Sequence, residues 1–422
     1  MAVGETYAQR KPSGDTFTVT VFDNANSKVP YRIPALAQAR DGRLLAFCDY
    51  RISKTDIGHS NRNGLFQINE VMKVSDDFGR TWSDTVVVAR GEENAVEEWY
   101  AAFGDPSVVA DRTSDRVLMH CVSGKVGYFQ SERNHPQHAV FFHSKDGGRT
   151  WDRGTDKTEM IYGLYDNKLP GGKSAAGIFL TSGRIMQSRY VKVGDFYRLY
   201  IAHPVRTSDE HKFATYVICS DDFGITWQVL GGAGVIPSDA ADESKIEELP
   251  DGSVLLSCRN QWGGRKYNVF TYSDAKTAQG KWSKDAMPEN MTGEEVNACN
   301  GETLVLPVIR TKDRKRMYVA LQSVPLSKVR EKVGFFYKEL ASPEDYDTGE
   351  KLASNWQKGL QVTELESCYS TMILMSNNRI GFLYEESLSN EGYNIVFKSL
   401  GLEEITKGKY RLDTALADGY KF

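Results

Sequence analysis

Several absences narrow the class of this chain before any motif is read. No apolar run approaches the ~20 residues that a helix needs to cross a bilayer, so no membrane span is expected. No block of lysine and arginine stands out; the two signs of charge are interspersed and sum to −4, which argues against nucleic acid as a partner. The seven histidines contain no HExxH or similar spacing, and the six cysteines form no CxxC pair. Neither a metal nor a cofactor is therefore expected. Those cysteines, Cys48, Cys121, Cys219, Cys258, Cys299 and Cys368, are scattered, several of them inside apolar runs such as Val254 to Cys258, and read as small buried thiols. An apolar leader is missing too: Gly4 to Asp15 is polar and reads as a loose tail over residues 1–14. A chain trimmed of a leader would look the same, and the expected compartment is secreted or periplasmic.

What is present is a repeat. Ser75 to Trp82, Ser-Asp-Asp-Phe-Gly-Arg-Thr-Trp, returns almost unchanged at Ser144 to Trp151 and at Ser220 to Trp227, with a weaker copy from Ser273 to Trp282. The mean spacing is about 66 residues, which divides the 422-residue chain into about six units. Alternating apolar residues precede the copies, as in Val71 to Val74 and Tyr216 to Cys219, so each box reads as the tip of a hairpin. Within it the third-position Asp can accept backbone N–H bonds, Gly adopts a conformation closed to other residues, and Trp plugs the turn. The box is a structural device. Six short-strand repeats in one chain predict an all-β, six-bladed propeller over residues 15–422, a single domain despite its length.

A second kind of signal is charge where an apolar residue belongs. Arg32 interrupts Val29-Pro30-Tyr31-Arg32-Ile33-Pro34-Ala35-Leu36, which otherwise reads as a buried strand. Its guanidinium must meet an anion, either an internal carboxylate or a ligand, because an unpaired buried charge is very costly.

Tyr-Arg-Ile-Pro followed by these Asp boxes resembles the exo-sialidases of the neuraminidase superfamily, six-bladed propellers, from Tyr31 to about Glu385. The resemblance implies roles at matching positions. Arg32, Arg259 and Arg330 would hold the carboxylate of sialic acid, with Glu385 orienting Arg32. Arg51 would sit near the site, and Asp56, on the loop that follows it, would be the general acid/base. Asp105 of Asp105-Pro106-Ser107 would accept a hydrogen bond from a sugar hydroxyl, while Trp99, Tyr100 and Phe103 are candidates for an N-acetyl pocket. Tyr369 would be the nucleophile and Glu243 its base. The hairpin turn at Pro250-Asp251-Gly252 returns Arg259 to the edge that holds Glu243, and a turn does the same for Glu385 and Tyr369. Four residues are set aside: Arg310 as part of a solvated charged turn, Glu247 and Glu248 as surface acids, and Arg184 as solvent-facing beside a turn glycine. The Tyr128 to Gln137 segment, polar and between strands, is placed near the site without an assigned role. A closing strand is expected at Lys409 to Leu412, its blade unspecified.

These residues fit one reaction. Sialic acid bears a carboxylate on its anomeric carbon, so a neutral tyrosine avoids the repulsion a carboxylate nucleophile would meet. Sialidases are the recognised tyrosine exception among retaining glycosidases. Free tyrosine titrates near pH 10 and needs an adjacent base, here Glu243. The expected partners are sialylated glycans, glycoproteins or glycolipids. Alternatives on the same fold are transfer of the sialyl group, between molecules or within one, and a non-catalytic sialic-acid-binding propeller. The last predicts loss of Asp56, Glu243 or Tyr369, and all three are present.

Overall fold

The computed structural model describes residues 14–24, 26–208, 213–387 and 392–421. The expected N-terminal tail, residues 1–14, lies outside them except for Gly14. The strands form six sheets, arranged as the blades of a β-propeller. The first blade runs Tyr31–Gln38, Leu44–Tyr50, Asn69–Ser75, Val86–Ala89, and the second is built on Phe103–Ala110, Val117–Ser123 and His138–Ser144. In the third, Phe196–Arg206 and Phe213–Ser220 pair centrally, and the inner strand is split into Gly177–Ile178 and Met186–Val193. Ala241–Glu248, Val254–Asn260 and Arg265–Asp274 carry the fourth blade; Thr303–Arg310, Arg316–Pro325 and Val333–Leu340 carry the fifth. The sixth comprises Ser367–Leu374, Ile380–Glu386 and Asn394–Leu400.

Closure comes from the start of the chain. Phe17–Phe22 pairs with Asn394–Leu400 as the outer strand of the sixth blade, so the ring is shut by sheet hydrogen bonds between the two ends of the sequence. The strand expected at the C-terminus exists, as Tyr410–Leu412, but it pairs with Thr303–Arg310 and widens the fifth blade. Strands such as Leu44–Tyr50 and Val117–Ser123 are buried along nearly their whole length because a neighbouring blade covers each face.

The boxes clasp blades together. Gly79 N–H donates to Ser75 Oγ (2.8 Å), Thr81 N–H to Asp77 Oδ1 (2.9 Å) and the Thr81 hydroxyl to Asp77 Oδ2 (2.7 Å). Asp146 and Asp222 receive the same donors. Gly79, Gly148 and Gly224 all hold positive φ, and each lies against a side chain of the preceding blade: Phe397, Leu45 and Leu118. The tryptophans follow suit, with Trp82 on Phe397 (5.5 Å between centroids), Trp151 on Phe47 (5.8 Å) and Trp227 on Phe141 (5.6 Å). Even the weak copies keep the contact. Trp282 Nε1 donates to Leu230 O of the third blade, and Trp356 stacks on Tyr267 of the fourth at 4.9 Å.

Three side chains expected at the surface are interior. Arg184 donates to Glu247 Oε2 (3.0 Å) and Thr303 O (3.0 Å), and Glu248 accepts from Arg189 N–H (2.6 Å) and from Ser188. Glu247 and Glu248 lie on the innermost strand of their blade, so they face neighbouring inner strands, and their burial is made affordable by arginine partners.

An alanine at Gly79 would place its Cβ 2.1 Å from the Phe397 ring at φ +91°. Gly79→Ala is expected to destabilise the fold by about 2 kcal/mol or more, from backbone strain plus overpacking, read as a lowered midpoint in denaturant. Burial pushes the box aspartates up, but the summed hydrogen bonds from Thr81, Thr150 and Thr226 and their neighbours hold them below the usual carboxylate range, Asp146 at about 2. Their stabilisation is thus full at neutral pH and lost as pH falls from about 4 towards 2.

Candidate active site

One end of the propeller axis opens into a cleft that gathers Arg32, Arg51, Asp56, Asp105, Glu243, Arg259, Arg330 and Tyr369. Glu385 lies directly beneath it. The nine residues to which the resemblance gives catalytic, carboxylate-holding or hydroxyl-binding roles, Arg51 beside them included, therefore converge, although they come from five of the six blades.

A recurrent irregularity presents them. In the first blade the register slips between Arg32 and Ala35, and Ile33 takes φ +60°. The second blade slips between Gly104 and Ser107, with Asp105 at φ +59°. Slips between Ala241 and Ser244 and between Ser367 and Ser370 place Glu243 and Tyr369 in the fourth and sixth blades. A bulge turns the side chain that would continue the blade's alternation towards the axis. Four inner strands thus end in bulges, and each aims a polar residue into the mouth.

Glu385 is fully buried. It accepts from Arg32 Nε (2.7 Å) and NH2 (3.3 Å), from Ile33 N–H (2.8 Å) and from Tyr369 N–H (3.2 Å). Burial alone would raise its pKa, but the charge and donors of Arg32 and the two backbone N–H groups leave it below the usual range. Arg32 in turn lies under Tyr393, 5.0 Å from the ring centroid.

The Tyr369 hydroxyl donates to Glu243 Oε2 (2.7 Å) and accepts from Arg259 NH1 (3.1 Å). The same Arg259 nitrogen also reaches Glu243 Oε2. Burial, then the Glu243 charge, pushes the tyrosine far up, so it rests as a neutral phenol. Glu243 is raised by burial against the pull of Arg259. Arg330 stands 5.8 Å from the Tyr369 ring and has no carboxylate partner among the described residues. Arg310, its rival, pairs with Asp313 and Glu339 on the outer face and takes no part in the cleft.

Across the cleft Asp56 is mostly exposed and held by Arg51 NH2 at 2.9 Å. Burial raises it, but Arg51 and the Ile57 N–H outweigh that and set it below the ordinary carboxylate range. Arg51 is anchored from behind by Asp49, with Nε at 2.9 Å and NH2 at 2.8 Å. Asp49 also accepts the Asp105 N–H at 2.9 Å. Sequence reasoning missed Asp49, although a carboxylate inside Leu44–Tyr50 is the same kind of signal that marked Arg32.

The apolar wall is formed by Tyr128, Phe129, Phe179 and Phe213 with Gln137, from loops of the second and third blades and the first residue of Phe213–Ser220. Trp99, Tyr100 and Phe103 do not line it. Trp99 and Tyr100 stack at 3.7 Å and pack edge-on against Phe103 in the core between the first two blades. Their place in a short helical turn, Glu98–Ala101, faces them inward.

Glu385→Gln would leave a largely buried guanidinium without its counter-charge. We expect a loss of about 3 kcal/mol of stability, together with weakened binding of anionic ligands, measurable by thermal melts with and without free sialic acid.

A family model for the BNR repeat-like domain matches residues 61–382. The sialidase of Micromonospora viridifaciens is 33% identical over 250 residues, 57% of this chain and 35% of that protein. The Clostridium perfringens sialidase is 25% identical over 246 residues, 57% of each chain. The chain thus spans between a third and three fifths of the curated relatives it matches. Among solved structures, the NanB sialidase of Streptococcus pneumoniae aligns over 94% of this chain and 72% of its own, with TM-score 0.66 at 16% identity. The intramolecular trans-sialidase of Ruminococcus gnavus aligns over 89% and 95%, with TM-score 0.64 at 14% identity. At these identities the structural likeness speaks for the fold.

Proposed function

This chain belongs to the BNR repeat-like domain family, and we propose that it is an exo-α-sialidase removing terminal α-linked sialic acids from glycoproteins or glycolipids by a retaining mechanism with a tyrosine nucleophile. The observation that carries this reading is the neutral Tyr369 hydroxyl, bonded to a buried glutamate and flanked by three guanidiniums, opposite an exposed carboxyl. A carboxylate-bearing sugar supplies the anion that Arg330 lacks and that Arg32 and Arg259 share with Glu385 and Glu243. Planar, permanently charged donors suit that group.

In the first step Tyr369 Oη attacks the anomeric carbon and its proton passes to Glu243, while Asp56 protonates the departing glycosidic oxygen. In the second, Asp56 removes a proton from water, the water oxygen displaces tyrosine, and Glu243 returns the proton to Tyr369. Two inversions give net retention. Arg51 holds Asp56 below the ordinary carboxylate range, whereas the group that protonates the leaving oxygen must carry a proton. A bound carboxylate beside Arg32, Arg259 and Arg330 raises Asp56 by competing for positive charge. The expected pH dependence is an optimum on the acid side of neutral, with kcat extending to higher pH than kcat/KM.

The test is release of a fluorescent phenol from an α-sialoside, repeated with an alkyl sialoside. Tyr369→Phe is expected to lose at least about 10³-fold in kcat. Asp56→Ala should retain much of the phenyl sialoside activity, whose leaving group needs little protonation, and lose about 10²–10⁴-fold on the alkyl one. Equal losses on both would count against Asp56 as the acid. Adding lactose in excess to the same assay separates hydrolysis from transfer, and binding of sialic acid without release of phenol would favour a lectin.

A further inference from the structure

Beneath the acid/base loop lies a carboxyl that the mechanism does not use. Glu70 stands directly across from Asp49 in the antiparallel pairing of Leu44–Tyr50 with Asn69–Ser75, so the two carboxyls share a face of the first blade. Both are fully buried, and neither oxygen of Glu70 meets an N–H or O–H donor. The group facing Glu70 is the Asp49 carboxyl itself.

The remaining ionisable neighbours are Cys48 and Arg51 on or just after the Asp49 strand, Asp105 on the inner strand of the second blade and Cys121 beside it. Four carboxyls, Asp49, Asp56, Glu70 and Asp105, thus surround Arg51. Among the described residues no three His, Cys, Asp or Glu side chains are placed to hold a metal ion. Two buried acceptors that face each other without a cation between them must share a proton. Burial pushes both carboxyls up, but Asp49 already takes donors from Arg51 on one oxygen and from the Asp105 N–H on the other, which favours its charged form, whereas Glu70 has neither. The proton therefore belongs to Glu70.

We propose that Glu70 is a positioning residue: it stays protonated at neutral pH and donates to Asp49, which as a single fixed anion aims Arg51 at Asp56 and holds the bulge that presents Asp105. This rests on the sialidase reading for its consequence in catalysis, while the proton itself does not. Burial, then the Asp49 charge, pushes Glu70 well up, in keeping with that placement. An ionised Glu70 would instead add a second negative charge behind Arg51, weakening its hold on Asp56.

The variants Glu70→Gln and Glu70→Leu separate the outcomes. Glutamine keeps an N–H where the acid has an O–H and is equally uncharged. It should retain kcat/KM within about threefold, with an unmoved pH profile. Leucine keeps the bulk without the donor and should lose about 10–100-fold in kcat with KM little changed. Glutamine as impaired as leucine, or a profile displaced by half a pH unit or more in Glu70→Gln, would overturn the proposal. Infrared difference spectra of parent against Glu70→Gln at pH 7 give a readout without turnover. The parent should show a protonated-carboxyl C=O band that the variant lacks; no difference would overturn the proposal even with full activity. A parent that releases no phenol, yet shows the band, would sink the sialidase reading and leave the proton assignment standing.

Discussion

Glu385 is the carboxylate on which the mouth of this propeller depends. It binds a guanidinium and the backbone N–H of Ile33 from the first blade, and the backbone N–H of Tyr369 from its own, the sixth. The seam between the two blades is the point where the ends of the sequence meet, since Phe17–Phe22 closes the sixth blade from the other edge. A single buried anion thus fixes three things at once: the closure of the ring at its open end, the direction of Arg32 and the backbone beneath the reactive phenol. Charge-assisted bonds of this kind are shorter and stronger than neutral ones, and in a buried setting each partner is costly to leave unpaired.

Two devices divide the work of the fold. At the outer hairpin tips the Asp boxes lock each of the first three blades to its predecessor through a glycine and a tryptophan. At the mouth, bulges at the ends of inner strands turn Arg32, Asp105, Glu243 and Tyr369 towards the axis. The first ties neighbouring blades together, and the second places these four side chains on bulged strand ends instead of long loops. Asp56 and Arg330 do sit on loops, and the position of Asp56 is compensated by the chain of Arg51 and Asp49 behind it.

Much of this was legible in the sequence, for identifiable reasons. The boxes are local in their hydrogen bonds: Ser and Asp accept from Gly and Thr within eight residues, so turn chemistry alone predicts the turn. Arg32 showed itself as a charge in an apolar strand, and the hairpin at Pro250-Asp251-Gly252 brought Glu243 and Arg259 together. What stayed hidden depends on packing between blades. Glu247, Glu248 and Arg184 read as surface residues because nothing local marks a strand as innermost. The wall of Tyr128, Phe129, Phe179 and Phe213 comes from two blades, whereas Trp99 and Tyr100, nearer in sequence to Asp105, turn into the core. Bulges leave no signature in an alternating pattern, and the Glu70–Asp49 pair is visible only once the strand register is known.

The proposed reaction requires Tyr369 to form a bond to the anomeric carbon. Incubation with a fluorinated sialosyl fluoride, which forms such an intermediate quickly and releases it slowly, followed by peptide mass spectrometry, tests this directly. A sialosyl adduct is expected on the peptide holding Tyr369, localised to that side chain and absent in Tyr369→Phe. Turnover of sialosides with the adduct on a carboxylate, or with no adduct and an inverted product, would contradict that reaction.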